Sequence, residues 1–589
     1  MNIVTSAIAR MRLLDYLFLI AGLAILAFYV PVTISANSDL ADGRFVLFMD
    51  ERITFDGVKR ILHPDGLPQF LNSVLDGGDH RYGRSLWNSI AIFSLIPEKL
   101  FGDAGQIIAS RMLQVVLIVA SYCIFAFGIL RSWFLRLTLL VGILAIPFSD
   151  YFMTMPKPEP LQLLFLAIFS YFFVKKSAAF SWYWIFIGLA FGTKISTLPA
   201  LLVFILVSLV ARSNSDLSPA CRKPLINAAM AFFLGLAVAV PILFVPLLLS
   251  VGGYFAFDWV VRKFTLGKVS RIIIALAALA VVFLWPHENL KVWISSTFLN
   301  TTHGADQASI NALSWLDYYF NNWLIAPRAI GLILFISILG YLIFHAAQIL
   351  KSDSFSIDKN VTAFAIAIAG LALNIAIIIG AKRIWGFYLY PGTVLMVAGI
   401  IMLADLDISD SYGKNNKARM ALTRFLSYFI SIFLLVVSAL FWMPRAIDGL
   451  KGASLRTETP EYTLQYSSYK VFSDFLDNHK VNEGGPLRVM FTPSLFPPES
   501  NKKYEIVEFW GPYIKWNEDP DVIIFGIVNT PRGTPTPKDS PEYNDFLIER
   551  EGYAAHVAEK GRGCKSNPCF TRALELPNGG EVLVLTKAD

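Results

Sequence analysis

Long apolar runs, separated by short polar loops, fill most of this chain up to residue 443. A helix needs about 20 mainly apolar residues to cross the hydrocarbon core of a bilayer. The pattern therefore predicts an all-α polytopic membrane protein with about 11 transmembrane helices, and about 10–13 are compatible with it. The predicted spans are residues 14–34, 107–130, 135–152, 161–174, 182–210, 226–250, 272–285, 330–350, 361–379, 392–404 and 421–443.

Lysine and arginine near the span ends predict the orientation. Arg10 and Arg12 precede the first span, and Lys175 and Lys176 follow the fourth, which favours the cytoplasmic side for both positions. Residues 35–105 then form a long first external loop. The segment 182–210 fits one tilted span or two short ones. The single span is favoured, and it places a basic stretch at residues 262–271 inside and residues 287–326 in a later external loop.

The pattern changes after residue 445. Short apolar runs at residues 489–491, 522–525 and 581–585 predict buried strands, and residues 469–478 have helical character. About 140 residues suffice for a small core. We therefore predict a transmembrane domain over residues 1–445 and a soluble, extracytoplasmic α/β domain over residues 446–589.

Composition narrows the class of protein. Of the 589 residues, 55% are hydrophobic and only 16% are charged, against about 25% charged in soluble domains. A soluble multidomain enzyme, a disordered protein and a nucleic-acid binder are excluded. The net charge of +6 fits cytoplasmic loop cations and some cations facing lipid phosphates. Four cysteines are too few for a disulfide scaffold, although Cys564 and Cys569 could form one small-loop bridge.

Acidic residues in the first external loop are the first candidates for chemistry. Asp50 and Glu51 follow the first span closely, and Arg81 and Tyr82 come about 30 residues later. Carboxylates near a membrane surface serve as a general base, as metal ligands or as plain solvated charges. Position alone favours the solvated charge.

Charged residues also lie at the ends of apolar segments. Lys157 and Glu159 precede the fourth span, and Lys194 lies within the segment 182–210. An ionisable group at membrane depth is a functional-site hypothesis, and a lysine there suits an anionic group such as a phosphate. The structural alternatives are helix capping for the first two residues and a plain turn between two spans for Lys194.

Two later clusters complete the candidates. His303 lies in the predicted loop 287–326, and Lys382 and Arg383 precede Tyr388 at another predicted outer end. Two cations on the outer side oppose the positive-inside rule. A site for a lipid phosphate or sugar is one interpretation, and an aromatic membrane anchor is the other.

The order of these clusters resembles the GT-C superfamily of glycosyltransferases that use lipid-linked donors. It is most similar to the branch containing protein mannosyltransferases and bacterial aminoarabinose transferases that modify lipid A. The resemblance rests on Asp50-Glu51, on Arg81 to Arg84 without the family's Pro-Pro, on Pro158-Glu159, on Thr193-Lys194, and on Lys382-Arg383 with Tyr388 to Pro391. It covers roughly residues 10–400.

The resemblance implies a polyprenyl-phosphate sugar donor and transfer on the outer face of the membrane. The absence of a cleavable signal pattern and the single glycosylation sequon at Asn300 favour a bacterial inner membrane. Asp50 and Glu51 would be catalytic, with Asp50 as the base of an inverting displacement. Arg81, Lys194, Lys382 and Arg383 would bind the donor phosphate. Tyr82, Lys157, Glu159, His303 and Tyr388 would contact the substrate, and Asp50 and Glu159 would hold a divalent cation if one is used. The acceptor would be a lipid, glycan or protein. A flippase or transporter without catalysis is the main alternative, and a polytopic scaffold is a third; charges gathered at outer span ends favour the enzyme.

Overall fold

The computed structural model describes the chain in part. The described residues are 20, 30–35, 38–39, 44–45, 49–75, 84–176, 178–213, 222–243, 328–350, 359–380, 386–409, 417–455, 470–478, 486–491, 503–508, 522–526, 570–575 and 581–586. The chain divides into two compact units. One comprises Met1–Ala36 and Asp50–Ala453, and the other comprises Asn37–Met49 and Ser454–Asp589.

Helices make up the described part of the first unit. In chain order they are α1 Met49–Leu62, α2 Leu67–Leu75, α3 Ser85–Gly128, α4 Trp133–Ala145, α5 Ser149–Thr154, α6 Pro158–Lys175, α7 Trp184–Thr193, α8 Leu198–Ser213, α9 Arg222–Ala239, α10 Arg328–Leu350, α11 Lys359–Gly380, α12 Tyr390–Ser409, α13 Lys417–Val437 and α14 Met443–Ser454. Short 3-10 turns cover Ile195–Thr197, Pro241–Leu243 and Gly386–Leu389, and a π-helical turn covers Ser438–Trp442.

Several of these helices are built for a bilayer. Within the described ranges, five are long and apolar enough to cross a membrane: Ser85–Gly128, Leu332–Ile349, Lys359–Ile379, Gly386–Ile408 and Ala421–Ser454. Large apolar side chains such as Leu206, Ile343 and Phe425 are 60% or more exposed on this unit. Large exposed apolar surfaces are rare on water-soluble monomers, and contact with lipid accounts for these side chains. The predicted helical membrane architecture is confirmed, and the predicted spans 14–34 and 272–285 lie outside the described residues, apart from residues 20 and 30–34.

The helix α3 contains a kink that separates loop from span. Gly102 has φ +59°, and a Cβ there would meet nothing within 4 Å. Since L-residues avoid this left-handed region, glycine allows the turn. The residues before Gly102 fall in the predicted first external loop, and the residues after it contain the predicted span 107–130.

The single tilted span predicted for residues 182–210 is wrong. The helix α7 ends at Thr193, Lys194 is extended (φ −155°, ψ 124°), and α8 begins four residues later. Trp184 at the start of α7 lies 5.4 Å from Phe169 of α6, ring to ring, and Phe204 of α8 lies 4.8 Å from the same ring. Both helices therefore run between the level of Phe169 and the start of α6, in opposite directions. Lys194 is at the tip of a helical hairpin.

The hairpin also reverses the direction predicted for the next helix. α9 packs against α7 through glycines, and a Cβ on Gly188 would lie 2.1 Å from the carbonyl oxygen of Phe232. Gly192, one turn later, faces Ala239, so α7 and α9 run in the same direction. The C-terminus of α9 therefore lies at the same end of the bundle as Lys194. A single span at residues 182–210 would place the C-terminus of α9 at the opposite end. The basic stretch 262–271 lies outside the described residues.

The opposite end of the bundle is closed by a buried carboxylate. Asp405 of α12 accepts hydrogen bonds from the backbone N–H groups of Arg131 and Ser132, both at 2.9 Å. Both groups belong to the residues directly before α4, and the N-cap serine, Ser132, makes no side-chain cap hydrogen bond. Asp405 therefore caps the entry to α4 from a distant part of the chain. α12 thereby joins the turn that the sequence predicts to be cytoplasmic. Its N-terminus lies at the other end, beside Lys194.

The second unit contains a mixed five-stranded sheet in its described part. The strands with the order β4-β3-β5-β7-β6 are β3 Leu487–Phe491, β4 Tyr504–Glu508, β5 Val522–Gly526, β6 Phe570–Glu575 and β7 Glu581–Thr586. β3 pairs in parallel with β4 and β5, whereas β7 is antiparallel to β5 and β6. A separate two-stranded ribbon joins β1 Ser38–Asp39 to β2 Arg44–Phe45. Residues 470–478 are helical, and Phe472 and Leu476 pack on the sheet. The three predicted strands match β3, β5 and β7.

Candidate active site

A buried ion pair marks the tip of the hairpin. The ammonium of Lys194 donates to the carboxylate of Glu159, whose side chain is only 1% exposed. Glu159 lies in the first turn of α6, where the helix dipole favours a negative charge. Its second oxygen is buried and has no hydrogen-bond partner among the described residues. Only one of the two carboxylate oxygens of Glu159 therefore has a hydrogen-bond donor in the described structure.

Aromatic rings surround the cations at this end. The Nζ atom of Lys194 lies 4.1 Å from the ring centroid of Tyr388. Lys157, the N-cap residue of α6, lies 5.3 Å from the ring of Phe387 and 5.9 Å from that of Tyr151. The last two rings stack at 5.0 Å. Cation–π contacts of this kind hold a cation in place without neutralising its charge.

Hydrogen bonds fix the hairpin on α6. The Gln162 amide donates to the hydroxyls of Ser196 and Thr197, at 3.1 and 2.8 Å, and its own carbonyl oxygen is buried without a partner in the described structure. The Thr197 hydroxyl donates in turn to the backbone carbonyls of Ala190 and Lys194. Since Gln162 follows Glu159 by three residues, both side chains lie on one face of α6. That face carries two buried oxygens without a hydrogen-bond donor in the described structure, Glu159 Oε2 and Gln162 Oε1. The other Glu159 oxygen accepts from the Lys194 ammonium.

The first external loop is fastened to the same region. The hydroxyls of Ser85, at the start of α3, and Thr193, at the end of α7, lie 2.9 Å apart. Val58 of α1, Trp87 of α3 and Leu161 of α6 share one apolar cluster. The loop helix that begins with the predicted base and the helix that carries Glu159 thus contribute to the same apolar cluster.

The predicted acid pair begins helix α1. Asp50 is the second residue of that helix, and Glu51 is the third. Both oxygens of Glu51 accept hydrogen bonds from Arg111 of α3, at 2.7 and 3.1 Å, and the two side chains are 2% and 1% exposed. Glu51 is therefore committed to an internal contact.

The structure brings some predicted site residues together and leaves others undescribed. Lys157, Glu159, Lys194 and Tyr388 meet at the hairpin, and α1 packs nearby. The remaining candidates, Arg81, Tyr82, His303, Lys382 and Arg383, lie outside the described residues. Over the same described ranges, no group of three or more metal-binding side chains is found.

Sequence reasoning missed Arg111 and Gln162. Arg111 is an ionisable residue within the predicted span 107–130, so the rule that singled out Lys194 also applied to it. Gln162 follows Glu159 by one helical turn, a spacing that predicts a shared face. Their partners, however, are 60 and 35 residues away in the chain, and no local pattern reveals them.

Comparison with known proteins finds structural likeness only. No family model matches the chain. No curated protein matches its sequence either. Among solved structures, ArnT from Cupriavidus metallidurans bound to undecaprenyl phosphate has 9% identity and a TM-score of 0.47, over 97% of this chain and 98% of that chain. The archaeal oligosaccharyltransferase AglB from Archaeoglobus fulgidus, in complex with an inhibitory peptide and a dolichol-phosphate, has 11% identity and a TM-score of 0.48, over 96% of this chain and 74% of that chain. Both TM-scores are below 0.5.

Proposed function

We propose that this chain is a membrane glycosyltransferase of the GT-C type, which moves a sugar from a polyprenyl-phosphate donor to an acceptor hydroxyl. The observation that carries the proposal is the Lys194–Glu159 pair at the hairpin tip, next to Tyr388. A donor whose leaving group is a lipid phosphate needs a cation at membrane depth, where negative charge develops. Lys194 supplies that cation, and Glu159 neutralises it while the donor is absent.

The reaction is a direct displacement. Asp50 takes the proton of the acceptor hydroxyl as its oxygen attacks the anomeric carbon. The bond between the anomeric carbon and the phosphate oxygen breaks, and its electron pair leaves with the polyprenyl phosphate beside Lys194. Attack from the face opposite the leaving group inverts the anomeric centre. One oxygen of Glu159 and one of Gln162 are buried without a hydrogen-bond partner in the described structure, and hydroxyl groups of a bound sugar would supply the missing donors.

The test is release of polyprenyl phosphate from a polyprenyl-phosphate sugar by the purified chain in proteoliposomes. Membrane lipid and glycan fractions serve as acceptors, with and without EDTA to detect a required divalent cation. We expect release in the wild type and none from Asp50→Asn at equal folded yield. We expect Lys194→Ala to raise the KM for the lipid donor most. Movement of intact lipid-linked sugar across the bilayer without release would support a flippase instead.

The outer face of a bacterial inner membrane is part of the same proposal, and so is an external domain at residues 446–589. A membrane-impermeant thiol reagent added to the outside of spheroplasts, after treatment with a reductant that is then washed out, should label Cys564. Labelling only from the cytoplasmic side would show that the orientation is the reverse of the proposed one, with transfer to the acceptor at the inner face.

A further inference from the structure

Helix α1 is fastened to α3 at four places, each one helical turn from the next. The contacts come from the Glu51 carboxylate, the Phe55 carbonyl and the Lys59 ammonium on α1, and from the ring of His63, which directly follows α1. Their partners on α3 are Arg111, Gln106, Asp103 and Glu98, at 2.7, 3.0, 2.9 and 2.6 Å. Residue numbers increase along α1 while those of its partners decrease from Arg111 to Gln106 and Asp103, so α1 is antiparallel to the part of α3 that follows Gly102. Their contacts form a ladder along one face of α1.

The ladder is buried at the end that begins with Asp50. The Glu51 and Arg111 side chains are almost completely buried, and the Gln106 contact is buried as well. The Lys59–Asp103 pair is 40% and 44% exposed, and His63 is 53% exposed. Water and salt weaken the exposed contacts, whereas removing one partner of a buried pair leaves an uncompensated charge. Of the four described contacts, the Glu51–Arg111 pair is therefore the one expected to hold the start of α1 most strongly.

Close packing adds a second constraint on α1. A Cβ on Gly57 would lie 2.2 Å from the Trp87 ring. The backbone of α1 at Gly57 therefore lies directly against the Trp87 ring, in the part of α3 before Gly102. The Glu51–Arg111 contact joins α1 to the part of α3 after Gly102.

We propose that Arg111 is a positioning residue for the transfer reaction, acting through Glu51 on Asp50, and that Glu51 is not a catalytic residue. This inference rests on the proposed function, in which Asp50 is the base. Asp50 is joined to Glu51 by a peptide bond, which places their Cα atoms about 3.8 Å apart. A general base must lie within hydrogen-bond reach of its proton, and misplacement by about 1 Å costs about 100-fold in rate. The Arg111 fork fixes that placement with two hydrogen bonds to one carboxylate.

The experiment compares Arg111→Met, Glu51→Gln and the charge-reversed pair Glu51→Arg with Arg111→Glu. We expect Arg111→Met to lower kcat by about 100-fold, with the KM for the lipid donor unchanged because the Lys194 hairpin is intact. Glu51→Gln still accepts a hydrogen bond from Arg111 and should lose less than about 10-fold. The reversed pair should recover activity to within about 10-fold of wild type, because the contact is restored although the carboxylate has moved to α3.

Opposite results would overturn the inference. A folded reversed pair that is as inactive as Asp50→Asn would make Glu51 itself catalytic. If the reversed pair does not fold, the Glu51→Gln variant is the test. Retained activity in this variant supports the positioning role of Arg111. Complete loss of activity at normal thermal stability refutes that role. An equal change in donor KM and kcat in Arg111→Met would place Arg111 in donor binding instead.

Two controls separate this inference from the function on which it rests. Lys59→Met removes the exposed contact of the same ladder and should change kcat by less than about threefold. A wild-type chain that transfers no sugar refutes the proposed function. An active wild type, an inactive Asp50→Asn and a fully active Arg111→Met refute only the positioning role.

Discussion

Replacing Lys194 by methionine should destabilise the protein through its partner. Glu159 is 1% exposed, and in the described structure its second oxygen has no hydrogen-bond partner. Removing the cation leaves a buried carboxylate without the counter-ion seen here, which costs about 3–5 kcal/mol. Loss of the contact with the Tyr388 ring adds about 0.5–2 kcal/mol.

The double variant Lys194→Met with Glu159→Met tests where that cost arises. It replaces both charges by apolar groups of similar size, so it should be within about 1 kcal/mol of wild type or more stable. The two single costs should then exceed the double cost by at least about 3 kcal/mol, which is a strong coupling. Lipid-donor turnover at low donor concentration should fall in all three variants, because each lacks a group of the proposed donor site.

The assay is reversible unfolding of the four proteins in a mixed-micelle denaturant titration, with lipid-donor turnover measured on the same preparations. Additive single costs would show that the two charges do not interact in the folded protein. Wild-type stability of Lys194→Met would show that the Glu159 carboxylate is solvated or neutral. Either result would remove the pair as the basis of the donor site.

Three further predictions address the scaffold. Asp405→Ala should lower the free energy of unfolding by about 1–2 kcal/mol, because α4 loses its cap. The KM for the lipid donor should not change. An altered KM would mean that this end of the bundle is coupled to the donor site. Gly399→Ala should sharply reduce folded yield in size-exclusion chromatography, because its Cβ would lie 2.4 Å from the Ala367 nitrogen. Gly340→Ala, where a Cβ meets nothing within 4 Å, should be neutral or more stable by about 1 kcal/mol, and equal behaviour of these two glycine variants would contradict the α11–α12 packing.

Several residues of the candidate site could be predicted from the sequence, because burying a charged group in an apolar segment costs free energy. Lys157, Glu159 and Lys194 stood out as ionisable residues next to apolar runs, and the structure brings the last two into contact. The membrane class followed from the length and polarity of the runs, since a bilayer imposes those constraints on any chain. The buried strands β3, β5 and β7 followed from short apolar runs bounded by polar residues.

Only the tertiary structure decided the features that depend on distant partners. Hydropathy alone did not distinguish one tilted span at residues 182–210 from two, because both bury the same side chains; packing of Trp184 and Phe204 on one ring of α6 showed the reversal at Lys194. The sequence places Glu51 beside Asp50, but it does not reveal that Arg111, 60 residues away, donates hydrogen bonds to both oxygens of Glu51. The sequence determines which charges are too costly to be incidental, and the fold determines which partner compensates each of them.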